Sequence, residues 1–228
     1  MTQVTIAGAT GVIGSRVCKV VGDRADVQGR ALVRRAGANI GGSRVVETVF
    51  AFDKPESYRD IGTGIWPCDV LFCCIGSTMA AAGSREAFVA IERDIPLQLI
   101  GALAKNNPRC RFVFVSSMGA GKPVGFYLEN KAAVELALKQ SGLPYVILRP
   151  SLLMGGNRSQ FRPGERVSQL LLPALFKPFD LIGGRRLSWV GKYRPIDSSI
   201  VAQAAVRYGL DKDNSNKQVV LEGWDLYV

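Results

Sequence analysis

The sequence contains no histidine, and its few cysteines do not form a metal-binding or disulfide pattern. The absence of histidine excludes a Ser-His-Asp triad, histidine-ligated metal sites and acid–base catalysis by an imidazole. The five cysteines are an odd number without a Cys-x-x-Cys pair, and Cys73 and Cys74 are adjacent within an apolar run. We interpret them as reduced, buried thiols. The sequence therefore predicts no metal site and a cytoplasmic location.

Long hydrophobic stretches are also missing. The longest uncharged apolar-rich run, near Ser168 to Phe176, is too short to cross a bilayer and contains Pro173. The first residues show no basic segment followed by an apolar one, so we expect no signal peptide. With 47% hydrophobic and 21% charged residues in 228, the composition is that of a globular chain that can bury one sizeable core.

Acidic residues are scarce relative to basic ones, and the net charge is +10. The excess is concentrated between residues 149 and 194, where only Glu165 and Asp180 are acidic. The nine basic residues of this segment are Arg149, Arg158, Arg162, Arg166, Lys177, Arg185, Arg186, Lys192 and Arg194. Such a segment, interrupted by apolar clusters, predicts binding to an anionic substrate, an acidic protein or an anionic lipid surface. The alternative is a substrate-covering segment with apolar side chains in the core and solvated charges.

Nucleic acid is not an expected partner despite the positive charge. The sequence has no helix–turn–helix, zinc or RNA-binding motif, and its aromatic residues are not interleaved regularly with basic ones. The sequence does not indicate an oligomeric state.

Short apolar runs alternate with amphipathic stretches, which predicts the α/β class. Several runs are apolar throughout, as in strands covered on both faces, so we predict a doubly wound parallel sheet of the Rossmann type. The predicted strands are Val4–Ala7, Gln28–Val33, Arg44–Phe50, Val70–Cys74, Phe112–Ser116, Tyr145–Leu148 and Gln218–Leu221. The predicted helices are Val12–Val21, Arg85–Asn106, Val124–Ser141 and Ser198–Tyr208, with a bend expected at Pro96. We expect residues 1–228 to form one domain, in which residues 155–195 are a small carboxy-terminal lobe that covers the substrate.

A glycine-rich turn separates the first predicted strand from the first predicted helix. Residues 4–17 read VTIAGATGVIGSRV, which places three glycines in a GxxGxxG spacing. In a strand–turn–helix unit such glycines permit a tight turn, let the backbone approach a pyrophosphate and allow close helix packing. The helix amino terminus then favours the anion. We predict a dinucleotide site, the alternative being a structural turn without a ligand; its residues are Gly8, Thr10, Gly11, Val12, Ile13 and Gly14.

Two arginines after the second strand indicate which dinucleotide binds. A site for NAD usually has Asp or Glu there, about 20 residues beyond the turn, to bind the ribose 2′-hydroxyl. This sequence has Arg34 and Arg35 instead. Their guanidinium groups suit a 2′-phosphate, so we predict NADP(H); the alternative is a solvated basic pair. Asp53 ends the third strand-like run, and it either binds the adenine amino group or caps the next segment.

A serine pair, a tyrosine and a lysine follow the fifth predicted strand. Residues 112–131 read FVFVSSMGAGKPVGFYLENK. Tyr127 and Lys131 are four residues apart and share a helix face, where the lysine ammonium would favour the phenolate form of the tyrosine. Tyr127 is thereby a candidate general acid or base in a chain without histidine. The alternative is an exposed helix face on which the Tyr-x-x-x-Lys spacing arises by chance.

These motifs resemble those of the short-chain dehydrogenase/reductase superfamily, and in particular its extended and atypical branches, which also use GxxGxxG. The resemblance covers residues 4–150. It implies that Tyr127 is the catalytic acid or base, that Lys131 binds the nicotinamide ribose, and that Ser117, or alternatively Ser116, binds the substrate carbonyl.

The resemblance implies further cofactor contacts at the ends of two other strands. Cys73-Cys74-Ile75-Gly76 is similar to the end of the family's fourth strand, which lines the cofactor. Arg149-Pro150-Ser151 is similar to the segment after the sixth strand, whose backbone faces the nicotinamide. The cofactor contacts implied in this way are Cys74, Ile75, Gly76, Ser116, Lys131, Pro150 and Ser151.

A narrower likeness covers the rest of the chain. Arg162-Pro163-Gly164-Glu165, the apolar run Leu170–Phe176 and the return Val190–Pro195 are similar to the atypical subgroup that includes the human Tat-interacting tumour-suppressor protein. This likeness implies an NADPH-binding protein with regulatory behaviour and an unspecified substrate.

Two features depart from the superfamily pattern. The interval from Ser117 to Tyr127 is short, and Asp94 occupies the helix position where many members have a catalytic asparagine. The family's proton relay through that position is therefore not carried over to this chain.

The expected function is reduction of a small-molecule carbonyl or polarised double bond with NADPH, carried out by Ser117, Tyr127 and Lys131. The alternative is an NADPH-sensing regulatory or scaffold protein that binds an acidic partner or anionic lipid through residues 149–194. The intact Ser-Tyr-Lys set favours the first function, whereas Asp94 and the concentrated positive charge favour the second.

Overall fold

The computed structural model describes residues 1–154, 194–214 and 217–227. The predicted lobe lies outside these ranges except for Arg194 and Pro195. The motifs of the narrower likeness also lie outside the described residues, apart from these two residues. Among the basic residues of 149–194, the structure describes Arg149 and Arg194.

Seven of the described strands form one parallel sheet, in the order β3-β2-β1-β4-β5-β6-β9. The short strands β7 and β8 pair in parallel with each other. The order turns back between β1 and β4, which is the switch point where sheets of this kind bind ligands. The strands are β1 (Thr2–Ala7), β2 (Val27–Val33), β3 (Val45–Val49), β4 (Val70–Cys73), β5 (Arg111–Val115), β6 (Tyr145–Arg149), β7 (Leu153–Met154), β8 (Ile196–Asp197) and β9 (Gln218–Glu222).

Helices cover both faces of the sheet, because the strands are apolar on both. On one face, α1 and α6 pack on residues such as Ile6 and Phe72. On the other face, α4 and α5 pack on residues such as Leu71 and Phe112. The α/β class, the parallel sheet and the predicted elements are confirmed. The helices are α1 (Val12–Gly22), α2 (Met79–Ala82), α3 (Arg85–Val89), α4 (Ile95–Asn106), α5 (Phe126–Gln140) and α6 (Ser198–Leu210).

The predicted distortion near Pro96 takes the form of a π-helical turn. Residues Ala90–Asp94 are π-helical and connect α3 to α4 without a break, while Pro96 lies in the first turn of α4. Proline has no N–H to donate to the carbonyl four residues before it, so a regular α-helix cannot continue through this position. The wider turn removes that conflict and changes which side chains of the segment face the sheet.

A buried arginine satisfies the carboxyl end of α6. Arg111 begins β5 and is 4% exposed. Its Nη1 lies 2.8 Å, 2.9 Å and 2.8 Å from the carbonyl oxygens of Tyr208, Gly209 and Asp211. The last carbonyls of a helix have no partner within the helix. Arg111 therefore fixes the end of α6 to the sheet. Its positive charge interacts with these buried carbonyls and is not presented at the surface.

We expect Arg111→Met to lower the free energy of unfolding by about 2 kcal/mol, because it leaves buried carbonyls without a donor. Urea denaturation of the two proteins measures the difference. Arg109→Met is the matched control, since Arg109 is exposed, and its effect should stay within about 0.5 kcal/mol. Equal stability losses in the two variants would contradict a capping role for Arg111.

Candidate active site

The carboxyl ends of four neighbouring strands lie side by side at one edge of the sheet, and backbone hydrogen bonds join them in two pairs. The N–H of Cys74, after β4, donates to the carbonyl of Ala7 in β1 over 2.8 Å. The N–H of Ser116 donates to Leu148 over 2.8 Å, and the N–H of Met118 donates to Pro150 over 2.9 Å. The glycine turn, the 74–77 segment, the serine pair and Pro150 are thus brought together, as the sequence predicts.

The glycine turn has a geometry that side chains would prevent. Gly8 has a φ of +81°, and a Cβ atom there would lie 2.6 Å from the carbonyl carbon of Cys74. A Cβ atom on Gly14 would lie 2.1 Å from the carbonyl oxygen of Gly8. The first turn of α1 therefore passes directly against the turn that precedes it. Both positions require glycine for reasons of space.

The amino terminus of α1 is open to an anion. Its cap residue, Gly11, makes no side-chain capping bond, and the first turn carries no acidic residue. Thr10 and Gly11 are exposed beside it. Because unpaired N–H groups and the helix dipole both favour negative charge, this terminus fits a pyrophosphate. The predicted contacts at Val12, Ile13 and Gly14 belong to this turn.

Arg34 and Arg35 are both exposed directly after β2. In residues 1–154, 194–214 and 217–227 neither takes part in an ion pair. The nearest acid along β3, Glu47, is committed to the loop that follows them: its carboxylate accepts the N–H of Gly37 over 2.8 Å and that of Ile40 over 3.2 Å. The two guanidinium groups remain available to an anionic ligand.

Asp53 is exposed in the turn after β3. The short helical turn Pro55–Tyr58 that follows it has Lys54 as its cap residue and no side-chain capping bond. The alternative role of Asp53 as a cap therefore has no support, and its role at the adenine stays a prediction.

Cys73 ends β4 and is buried, and Cys74 follows it and is partly buried. Burial raises the pKa of Cys73 to about 12 and also raises the pKa of Cys74. All five cysteines are free, and the described residues hold no cluster of side chains suited to a metal ion. Cys18, Cys68, Cys73 and Cys110 are buried as predicted, Cys74 is partly buried, and the reduced state stays a prediction.

Lys131 is buried at the carboxyl end of β5, with 3% of its surface exposed. Its ammonium donates to the carbonyl oxygen of Val115 over 3.2 Å and lies 2.9 Å from Oε2 of Glu92. Burial is the largest influence and lowers the pKa of Lys131, but the charge and hydrogen bond of Glu92, with smaller contributions from other neighbours, together outweigh it, so the pKa is raised. Lys131 is therefore a fixed ammonium ion.

Glu92 is the site residue that sequence reasoning missed. It lies on the π-helical turn with 1% of its surface exposed, and its Oε1 accepts the N–H of Ser77. Asp94, assigned from the sequence to the asparagine position, instead bonds its neighbour Arg93 over 2.8 Å and is partly exposed. One signal was present: Glu92 lies four residues from both Phe88 and Pro96 within a buried helix stripe.

Tyr127 stands in the first turn of α5, one turn before Lys131, with 42% of its surface exposed. Its ring packs against Phe88, with 6.2 Å between the ring centroids. The two functional groups of α5 therefore share a face, as predicted, with the lysine buried and the tyrosine open to solvent.

The two serines after β5 have different environments. Ser116 is buried, and its hydroxyl donates to Oε1 of Glu135 over 2.6 Å. Ser117 is partly exposed, with only a long contact of 3.5 Å to the carbonyl of Met118. This arrangement favours Ser117 as the residue that meets a substrate, and it gives the Ser116 side chain a structural partner instead of a cofactor.

Arg149, the first basic residue of the 149–194 segment, is bonded within the protein. Its guanidinium binds both oxygens of Glu135, at 2.9 Å and 2.6 Å, and Oε2 of Glu222 at 3.2 Å. The charge is used inside the protein. Next to it, Pro150 is buried and the hydroxyl of Ser151 donates to the carbonyl of Arg194.

The sequence matches the NAD(P)H-binding family over residues 8–170. Protein FMP52, mitochondrial, of Candida albicans is 30% identical over 229 residues, which cover 97% of this chain and 95% of the relative. Protein HTATIP2 of Rattus norvegicus is 33% identical over 135 residues, which cover 58% of this chain and 53% of the relative. The latter match confirms the resemblance to the atypical subgroup.

Solved structures share the fold at low identity. The UDP-N-acetylglucosamine 4-epimerase of Methanobrevibacter ruminantium has a TM-score of 0.68 at 18% identity, covering 96% of this chain and 75% of its own. The enzyme WbmH of Bordetella bronchiseptica, solved with NAD+, has a TM-score of 0.68 at 17% identity, covering 97% and 75%. At such identities the likeness is one of fold.

The expected cytoplasmic location is wrong, because the FMP52 relatives are named as mitochondrial proteins. The expectation rested on reduced thiols, and any compartment that keeps thiols reduced fits that observation equally well. None of the described helices has the length and hydropathy that a bilayer crossing needs. From the family match and the switch-point geometry together, the chain belongs to the NAD(P)H-binding family and has the short-chain dehydrogenase/reductase fold.

Proposed function

We propose that the protein is an NADPH-dependent oxidoreductase that reduces a carbonyl group or a polarised double bond of a small molecule. The observation that carries this proposal is the placement of Lys131, a buried ammonium at the end of β5, one helical turn from the solvent-facing Tyr127. An exposed tyrosine next to an ammonium can exchange a proton with a ligand and with water. We also propose a mitochondrial location, because two relatives that align with nearly the whole chain are named as mitochondrial proteins.

The cofactor would lie across the switch point. The open first turn of α1 would hold the pyrophosphate, and the 74–76 backbone would line the cofactor between β1 and β4. Lys131 has three N–H donors, of which Glu92 and Val115 engage two in the described structure, so one remains for a ribose hydroxyl. NADPH supplies a hydride when it is bound.

Arg34 and Arg35 support NADPH over NADH. Two unpaired guanidinium groups at the end of β2 would bind a 2′-phosphate with charge-assisted hydrogen bonds. Among the described residues, no carboxylate at that strand end is free to bind a 2′-hydroxyl, since Glu47 is bonded to the 37–40 backbone.

The protein residues would orient the substrate and supply its proton. Ser117 donates a hydrogen bond to the oxygen of the carbonyl and polarises it. Tyr127 gives its hydroxyl proton to that oxygen, and solvent returns the proton because the side chain is exposed. Lys131 would fix the ribose through the N–H donor that Glu92 and Val115 leave open.

Calorimetric titration should show that NADPH binds more tightly than NADH. The double variant Arg34→Ala/Arg35→Ala should weaken NADPH binding by roughly 100-fold, because two guanidinium–phosphate contacts are lost, and should leave NADH binding unchanged. Arg109→Ala, which removes an exposed arginine before the opposite end of β5, is the control. Equal binding of the two nucleotides by the wild type would refute the proposed cofactor preference.

Tyr127→Phe should lower kcat by a factor of roughly 100 to 10,000, because the proton donor is lost. NADPH affinity should not change. The assay follows NADPH consumption with a panel of aldehydes, ketones and α,β-unsaturated carbonyl compounds. Tyr227→Phe is the matched control, since Tyr227 is 40% exposed against 42% for Tyr127. If the Tyr127 variant reduces the wild type's substrates at an unchanged rate, this catalytic assignment fails.

A further inference from the structure

The two buried glutamates of the described structure differ in how well they are satisfied. Glu135 accepts from the Ser116 hydroxyl and from two nitrogens of Arg149, and Lys139 lies 3.5 Å away. Glu92 accepts one backbone N–H, from Ser77, and faces one ammonium. The Glu135 cluster has the complete bonding expected of a structural network. The Glu92 pair does not.

Stability alone does not account for burying the Glu92–Lys131 pair. Removing two charges from water costs several kcal/mol for each ion, and apolar residues of similar volume often replace such pairs without loss. A glutamine at position 92 could also accept the Ser77 N–H. What a neutral residue could not supply is the negative charge 2.9 Å from the Lys131 ammonium.

Glu92 contacts both sides of the proposed cofactor site. One oxygen holds the Ser77 backbone, at the end of the segment that follows β4, and the other faces Lys131 on α5. The π-helical turn brings the side chain inward to do so, while Asp94, two residues on, points to Arg93.

Within the part of the chain that the structure describes, the charged and titratable groups near Tyr127 and Lys131 come from several elements. The π-helical turn contributes Glu92, and β4 contributes Cys73, a neutral thiol because burial raises its pKa to about 12. Helix α3 contributes Arg85, whose guanidinium stacks on the ring of Phe126 at 4.5 Å from its centroid. Glu92 is thus the carboxylate that offsets Lys131 among these groups.

We propose that Glu92 is a positioning residue that holds the Lys131 ammonium in place and cancels its charge, so that Tyr127 keeps the proton that the reduction step needs. This inference rests on the proposed reductase function. In reduction the tyrosine must carry the proton that the product oxygen receives, whereas in oxidation it must accept one as phenolate. An uncompensated ammonium would favour the phenolate.

The first test measures the ionisation of Tyr127 in the cofactor-free protein. The absorbance of tyrosinate is followed against pH for the wild type and for each variant, with and without the additional change Tyr127→Phe. The difference between the two curves of each pair isolates Tyr127 from the other tyrosines. We expect Glu92→Gln to move the Tyr127 midpoint down by at least one pH unit. Glu92→Asp should restore it. Glu135→Gln, the matched removal of the other buried glutamate, should leave it where it is. An unmoved or raised midpoint in Glu92→Gln would overturn the proposal.

A second variant keeps the test decisive if Glu92→Gln does not fold. Glu92→Gln/Lys131→Met removes both charges and leaves a neutral core. If the pair cancels, the Tyr127 midpoint of this variant should match the wild type within about half a pH unit. A midpoint at least one unit above the wild type would show that the lysine charge acts on Tyr127 uncancelled, which contradicts the proposal.

The rate profile supplies a readout in the enzyme itself. The rate of reduction should fall as pH rises through the Tyr127 midpoint, and this limb should move to lower pH in Glu92→Gln by the amount seen in the titration. At low pH, the reverse reaction with NADP+ should be faster in Glu92→Gln than in the wild type. The titration needs neither cofactor nor substrate, so its outcome does not depend on the reductase function. An unmoved Tyr127 midpoint would refute the role of Glu92 even if the protein reduces substrates with NADPH. A lack of NADPH-dependent reduction would refute the reductase function whatever the titration shows.

Discussion

A single buried ammonium connects the parts of this molecule that lie around the switch point. Lys131 reaches from α5 to the last carbonyl of β5, and through Glu92 it is linked to the π-helical turn and to the segment after β4. A lysine placed among apolar side chains must find oxygen partners or lose its proton. Those partners determine where α5 and the π-helical turn lie against the sheet, and therefore where Tyr127 faces solvent.

Most of the architecture could be predicted because its causes are local. The apolar runs identified the seven strands of the main sheet within two residues, and the GxxGxxG spacing identified the turn that α1 packs against. The two-residue strands β7 and β8 were not predicted. The choice between Ser116 and Ser117 was not local. Residues of a strand alternate between faces, so Ser116 continues the face of Phe112 and Phe114. In the structure that face is covered by α5, and the sequence alone does not say which face α5 covers.

Glu92 escaped prediction for a related reason. A proline produces a bend that sequence rules anticipate, but the bend can take the form of a kink, a break or a π-helical turn. These forms differ in which residues face inward. In the π-helical turn Glu92 is buried and Asp94 is partly exposed. The family pattern drew attention to Asp94 at the asparagine position, and it gave no signal for Glu92 two residues before it.

Net charge was the weakest guide to function, because it counts residues without regard to burial. Arg111 is consumed by the carbonyls at the end of α6, Arg149 by Glu135 and Glu222, and Lys131 by Glu92. None of the three contributes a free charge to a surface. Arg34 and Arg35, by contrast, are exposed and outside any ion pair of the described structure, at the strand end where a 2′-phosphate would lie. A basic residue is a candidate for ligand binding when its charged group has no protein partner in the described structure. The number of bonding partners likewise distinguishes Glu92, which is incompletely bonded, from Glu135, whose carboxylate oxygens are fully bonded.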